Sequence, residues 1–267
     1  MGNVALAFLL TLLAGLSTGV GSALALFTKK TNTKFLSASL GFSAGVMIYV
    51  SMIEIFFKAQ ESLSIPFGDK TGTLITIISF FGGMLLIGLI DKIVPSDKNP
   101  HEVTPISAMA VPNGTDRSKL MRTGLFTALA ITIHNFPEGL ATFVAALQSP
   151  SLAIPIVVAI AIHNIPEGIA VSTPIYYATG DRKKAFFYSF ASGLAEPIGA
   201  IIGYLILMPF MNDTVFGIIF AGVAGIMVFI SLDELLPAAR AYGEHHLSIY
   251  GLMAGMMVMA ISLWLFM

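Results

Sequence analysis

Apolar residues fall into eight long blocks separated by short polar breaks, and no block alternates strictly between apolar and polar. The blocks cover 4–27, 35–57, 73–94, 122–147, 152–177, 186–208, 214–239 and 247–267. Each is about 20 residues or longer, the length at which a helix crosses a hydrocarbon layer. Backbone N–H and C=O groups find no water in that layer, so a spanning segment must satisfy them internally, as a helix does. A membrane β-barrel would instead show segments of about ten residues with period-two alternation. The pattern predicts an all-α, polytopic membrane protein with eight transmembrane helices, forming a single domain over residues 1–267.

Composition supports this. Hydrophobic residues make up 56% of the chain and charged residues 11%, with a mean hydropathy of +0.86. A soluble domain carries roughly 25% charged residues, so a water-facing globular enzyme and a disordered chain are both excluded. The formal net charge of −1 gives no basic field for nucleic acid. Cysteine is absent, which removes disulfides and thiolate metal sites. Ala23-Leu24-Ala25 looks like a cleavage site, but no basic residue precedes the apolar run, so the run is expected to stay as the first helix.

Basic residues set the orientation. Lys29, Lys30, Lys34, Lys92, Lys98, Arg117, Lys119, Arg122, Arg182, Lys183, Lys184 and Arg240 lie in or beside alternate connections, leaving Lys58 and Lys70 for the others. The basic side is expected to face the cytosol, which puts both termini outside the cytoplasmic (inner) membrane. The one long connection, 95–121, contains Pro95, Pro100, Pro105, Pro112 and Asn113-Gly114. That composition predicts a flexible cytosolic loop.

Two repeats organise the helices. His134-Asn135-Phe136-Pro137-Glu138-Gly139 on the fourth recurs as His163-Asn164-Ile165-Pro166-Glu167-Gly168 on the fifth, each near mid-span. A weaker repeat relates Ala44-Gly45-Val46-Met47 through Glu54-Ile55 on the second helix to Ala224-Gly225-Ile226-Met227 through Glu234-Leu235 on the seventh. In both repeats the paired helices run in opposite directions. The expected layout is a 3+2+3 inverted-repeat bundle, an arrangement that typically places a site at the bilayer midplane.

An ionised carboxylate at mid-membrane costs at least about 2.5–3.5 kcal/mol on insertion scales. Glu138, Glu167 and Glu196 all lie there, and no Lys or Arg sits deep in a span to neutralise them. A proton or a bound cation must supply the charge. His134 and Glu138 are spaced i,i+4, and Asn135 and Glu138 i,i+3, so all three share a helix face. His163, Asn164 and Glu167 repeat the pattern. Pro137 and Pro166 each remove a backbone N–H and free a carbonyl four residues earlier. A mixed imidazole and carboxylate set suits Zn²⁺, Fe²⁺, Mn²⁺ or Co²⁺ better than Ca²⁺ or Mg²⁺. The candidate metal ligands are therefore His134, Asn135, Glu138, His163, Asn164, Glu167 and Glu196. Seven exceed the four that one tetrahedral zinc takes and suit two ions, bridged by Glu138 and Glu167. Glu54 is expected near the outer mouth, and Asp233 and Glu234 near the cytosolic one. His101, His245 and His246 are expected in cytosolic connections, and Met47 or Met52 is a weaker candidate for a soft ligand.

With these motifs, and with Ala195-Glu196-Pro197, the chain resembles the ZIP family of divalent metal transporters, and within it the bacterial ZupT-like branch. The resemblance implies a binuclear metal site between helices 4, 5 and 6. It also implies uptake of zinc, and often of iron, manganese, cobalt or cadmium, into the cytosol, with an elevator-like motion of the ligand helices. Many members carry a His-rich loop between the third and fourth helices, whereas this loop has only His101. The expected activity is cation import by alternating access, with the divalent cation as transported substrate and no cofactor. The lipid bilayer is the expected surrounding, a second copy of the chain an open partner, and nucleic acid no partner. The rival reading is an intramembrane zinc-dependent hydrolase built on His134, His163 and a Glu, although no His-Glu-x-x-His is present.

Overall fold

A computed structural model describes residues 4–27, 33–93, 114–148, 150–242 and 245–265. The helices are α1 (Val4–Phe27), α2 (Thr33–Tyr49), α3 (Phe56–Phe67), α4 (Asp69–Ile93), α5 (Gly114–Gln148), α6 (Pro150–Thr179), α7 (Arg182–Gly193), α8 (Ala195–Leu207), α9 (Asp213–Ile230), α10 (Leu236–Tyr242) and α11 (His245–Leu265). A π-helical segment, Val50–Ile55, joins α2 to α3, and a second, Ser231–Leu235, joins α9 to α10. Joined in this way, and with α7 and α8 meeting at Leu194, the helices make eight rods, one for each apolar block. Among the described residues, seven rods have the length and hydropathy of a membrane span. The remaining rod, α5, carries the first repeated motif.

Most rods start or end within four residues of expectation, and two ends differ by more. The second rod runs on to Phe67, ten residues past the predicted end at 57. Lys58 pairs with Glu61 at 3.2 Å, and Gln60 donates to Thr73 Oγ1 at 2.8 Å. These polar residues mark where the rod leaves the apolar layer, not where the helix stops. It stops at Gly68, whose φ of +74° is left-handed and costs glycine little. α5 starts at Gly114, inside the predicted 95–121 connection. The rest of that connection, with His101, and also Lys29 and Lys30, lie outside the described residues.

The rods pack as two groups of four. One contains α1, α5, α6 and α7–α8; the other contains α2–α3, α4, α9–α10 and α11. They meet where α2 lies on α6 and α9 on α5. Both weak-repeat copies make the same kind of helix contact. A Cβ on Gly45 would sit 2.0 Å from the Leu252 carbonyl oxygen, and one on Gly225 would sit 2.0 Å from that of Phe80. The second helix therefore leans on the eighth as the seventh leans on the third, which is the inverted repeat in three dimensions. The two π segments also fall at matched places in that repeat.

Polarity runs inside out relative to a soluble protein. Leu9, Leu13, Phe81, Leu85, Leu205, Met257 and Trp264 are exposed, while Thr11, Thr18, Ser22, Ser43, Ser189 and Ser192 are buried. Small and hydroxyl residues at helix contacts with an apolar exterior are the packing mode of membrane bundles. The chain is a multi-pass membrane protein.

Candidate metal centre

α5 and α6 are joined through residue 149 and pack along each other, which brings the two motif copies face to face. Both helices continue through their prolines, Pro137 and Pro166. All seven predicted ligands are buried, none with more than 2% of its surface exposed. The imidazoles and carboxylates pair crosswise. His134 Nε2 lies 3.2 Å from Glu167 Oε2, and His163 Nε2 lies 3.0 Å from Glu138 Oε1. Each histidine meets the glutamate of the other helix rather than the one four residues along its own.

Glu196 joins them from the sixth rod. Pro197 has no N–H to donate, and the rod breaks at Leu194, so Glu196 stands in the first turn of α8. Asn164 Nδ2 donates to Glu196 Oε1 and also to the Ala14 carbonyl at 3.1 Å. Asn135 Nδ2 donates to the Ser192 carbonyl at 3.2 Å. The motif glycines allow these approaches. A Cβ on Gly139 would lie 2.1 Å from the Glu196 carbonyl oxygen, so α5 and α8 touch backbone to backbone beside the site.

Several buried polar atoms of this cluster have no hydrogen-bond partner: His134 Nδ1, Asn135 Oδ1, Glu138 Oε2, His163 Nδ1, Asn164 Oδ1, Glu167 Oε1 and Glu196 Oε2. Leaving such atoms unpaired is costly in a low-dielectric interior. Most are lone-pair donors suited to a cation. Among the described residues, however, no three His, Asp or Glu groups gather around one point. The carboxylates and imidazoles form a single buried layer of crossed pairs, not a closed coordination shell.

The other candidates are spread along the rods. Glu54 is half-buried in the first π segment; Asp233 is exposed and Glu234 half-buried in the second. Met47 is buried and Met52 exposed. His245 opens α11 instead of lying in a connection, and exposed His246 stacks on Tyr250 with ring centroids 6.3 Å apart.

Sequence reasoning missed Ser43. Its hydroxyl donates to the His163 carbonyl at 3.2 Å, tying α2 of one group to the motif of the other. No sequence signal separates it from the many serines that fill such helices.

Comparison with known proteins bears on the whole arrangement. The sequence profile described as "ZIP Zinc transporter" matches residues 94–263. A protein named zinc transporter ZupT from Clostridium perfringens is 65% identical, with 100% of this chain and 98% of that protein covered. Proteins of the same name from Oceanobacillus iheyensis and Streptococcus mutans are each 66% identical. The first is covered over 99% of both chains and the second over 97% of both.

Proposed function

The chain belongs to the ZIP family of zinc transporters, and on that footing we propose that it moves zinc and related divalent cations across the cytoplasmic membrane into the cytosol. It is a transporter and not an enzyme. The hydrolase reading finds no support, since the full-length relatives are named transporters. The cation is cargo, not a resident cofactor.

One observation supports the ligand assignment most strongly. Two crossed imidazole–carboxylate pairs and a third carboxylate lie fully buried at the middle of antiparallel helices. Each imidazole pairs with the glutamate of the other helix, Glu196 takes the Asn164 amide, and among the described residues no lysine or arginine pairs with the three carboxylates. Three carboxylates in that position call for a positively charged guest. A Zn²⁺ ion entering the layer would separate each histidine from its glutamate and take lone pairs from both. His134, Glu138, His163 and Glu167 then act as principal ligands, with Asn135, Asn164 and Glu196 completing one or two ion sites.

The path follows the acids. Glu54 gathers cations at the outer mouth, and Glu234 draws them from His134 toward the cytosol. The ligands all belong to the α1, α5, α6, α7–α8 group, while α2 and α9 of the other group lie across the site. Sliding of one group against the other exposes the layer to each side in turn, with Ser43 released and remade. A divalent ion moving inward gains about 4.6 kcal/mol per 100 mV, twice the ~2.3 kcal/mol per charge, so the membrane potential suffices as a driving force.

Proteoliposomes loaded with a zinc-sensitive dye and held inside-negative test this. The wild-type chain is expected to admit zinc, and a Glu138→Gln, Glu167→Gln double variant to admit none. Equal rates would overturn the ligand assignment, and hydrolysis without flux would restore the enzyme reading.

A further inference from the structure

The inverted repeat also relates α1 to α7–α8. Gly15 and Gly193 cross each other, and a Cβ on either would lie 2.5 Å from the other's carbonyl oxygen. Gly21 meets the Ile165 carbonyl as Gly199 meets that of Phe136, at 1.9 and 2.2 Å from the added Cβ. Gly168 meets the Thr18 carbonyl at 2.0 Å as Gly139 meets that of Glu196 at 2.1 Å. Asn164 donates to Ala14, four residues before Thr18, and Asn135 donates to Ser192, four residues before Glu196. One constant offset between α1 and α7–α8, with one between the two motif copies, satisfies all of these contacts. Gly15-Leu16-Ser17-Thr18 lies on Gly193-Leu194-Ala195-Glu196, and Thr18 holds in α1 the place that Glu196 holds in α8.

Thr18 is fully buried, and its Oγ1 has no hydrogen-bond partner. The carbonyl one turn back, on Ala14, already accepts from Asn164 and from the Ser17 hydroxyl. Thr18 Oγ1 faces Gly193, where an added Cβ would meet it at 3.0 Å. Gly193 adjoins Ser192, whose carbonyl anchors Asn135. On the charged side Asn164 is bonded to Glu196. On this side the matching Asn135 Oδ1 is unpaired as well. Two buried, unpartnered, uncharged oxygens thus stand where symmetry would put an amide–carboxylate pair.

We infer that Thr18 and Asn135 form a neutral half of the cation centre, opposite the charged half made by Asn164 and Glu196. The neutral half takes a divalent cation that keeps part of its water, with Thr18 Oγ and Asn135 Oδ1 as oxygen ligands to the ion or to that water. A second carboxylate there would deepen the well, and transport needs binding weak enough to release. The inference rests on the transport reading above.

Zinc uptake by Thr18→Val, Thr18→Ser and Thr18→Glu proteins in proteoliposomes tests it, alongside wild type and the Glu138→Gln, Glu167→Gln variant. Valine keeps the shape and loses the hydroxyl. It is expected to raise KM for zinc about fivefold, the weight of one lost polar contact, with unfolding temperature unchanged, while serine restores the wild-type KM. Thr18→Glu is expected to bind zinc more tightly and turn over more slowly. Because valine could impair folding, a swapped protein carrying Thr18→Glu and Glu196→Thr gives a second reading. It is expected to transport faster than Glu196→Thr alone. A KM unchanged by valine, or a swap no better than Glu196→Thr, overturns the neutral half-site. Where wild type transports and the double glutamine variant does not, an unchanged KM or a failed swap removes this inference alone; if wild type fails to transport zinc, both readings fall.

Discussion

Replacing Gly139 with alanine tests whether close backbone contact holds the site. The new Cβ would lie 2.1 Å from the Glu196 carbonyl oxygen and 2.4 Å from Glu196 Cα, against 3.4–4 Å for ordinary contact. α5 and α8 must part by more than an ångström, because neither neighbour is a side chain that can rotate away. Overpacking of a tight core costs about 1–3 kcal/mol, and a backbone obstacle belongs at the top of that range. Alanine returns about 1 kcal/mol of helix propensity, so the net loss is about 2 kcal/mol. The shift also carries Glu196 away from Asn164, so zinc uptake falls with stability. Gly82→Ala is the control. Gly82 is exposed in α4 with nothing within 4 Å of an added Cβ, so only the propensity gain remains, and this variant should be slightly stabilised with uptake unchanged. Thermal unfolding in detergent, paired with dye-based uptake, reads both effects. A Gly139→Ala protein as stable as Gly82→Ala would refute the close-contact account of the α5–α8 pair.

Other substitutions probe separate parts. Asn164→Ala strips the amide from both Glu196 and the Ala14 carbonyl and should cost about 1–3 kcal/mol of stability, together with weaker zinc binding in titration calorimetry; wild-type binding would show the amide to be idle. Ser43→Ala removes the hydroxyl from the His163 carbonyl and should change the rate of uptake while leaving equilibrium zinc affinity near wild type; lost affinity would make Ser43 part of the ligand shell instead. Since the chain has no cysteine, single-cysteine variants report sidedness cleanly. Glu61→Cys should react with an impermeant maleimide on intact cells and Asp181→Cys should not, and the reverse pattern would invert the orientation drawn from the basic residues.

The eight rods were legible because lipid demands long apolar runs, and the site was legible because histidine, asparagine and glutamate are expensive letters at mid-span. Their duplication made chance an inadequate explanation. The ends were harder to read. A helix that continues into water, as the second rod does to Phe67, loses its hydropathy signature while keeping its hydrogen bonds. The π segments left no trace in apolar periodicity. The likeness of α1 to α7–α8 stayed hidden because it rests on Gly15, Gly21, Gly193 and Gly199, which any close-packed membrane helix uses, and because Thr18 replaces the one costly residue, Glu196. The crossed pairing was also out of reach. Spacing along one helix joins His134 to Glu138, whereas the packing of α5 on α6 joins His134 to Glu167.

X-ray absorption at the zinc edge of the purified, zinc-loaded protein asks most directly whether those crossed pairs open to hold the cargo. A shell of nitrogen and oxygen neighbours at about 2.0–2.1 Å, with imidazole scattering that disappears in a His134→Ala, His163→Ala variant, is the outcome expected here. Zinc bound without imidazole, or with the same spectrum in that variant, would contradict it.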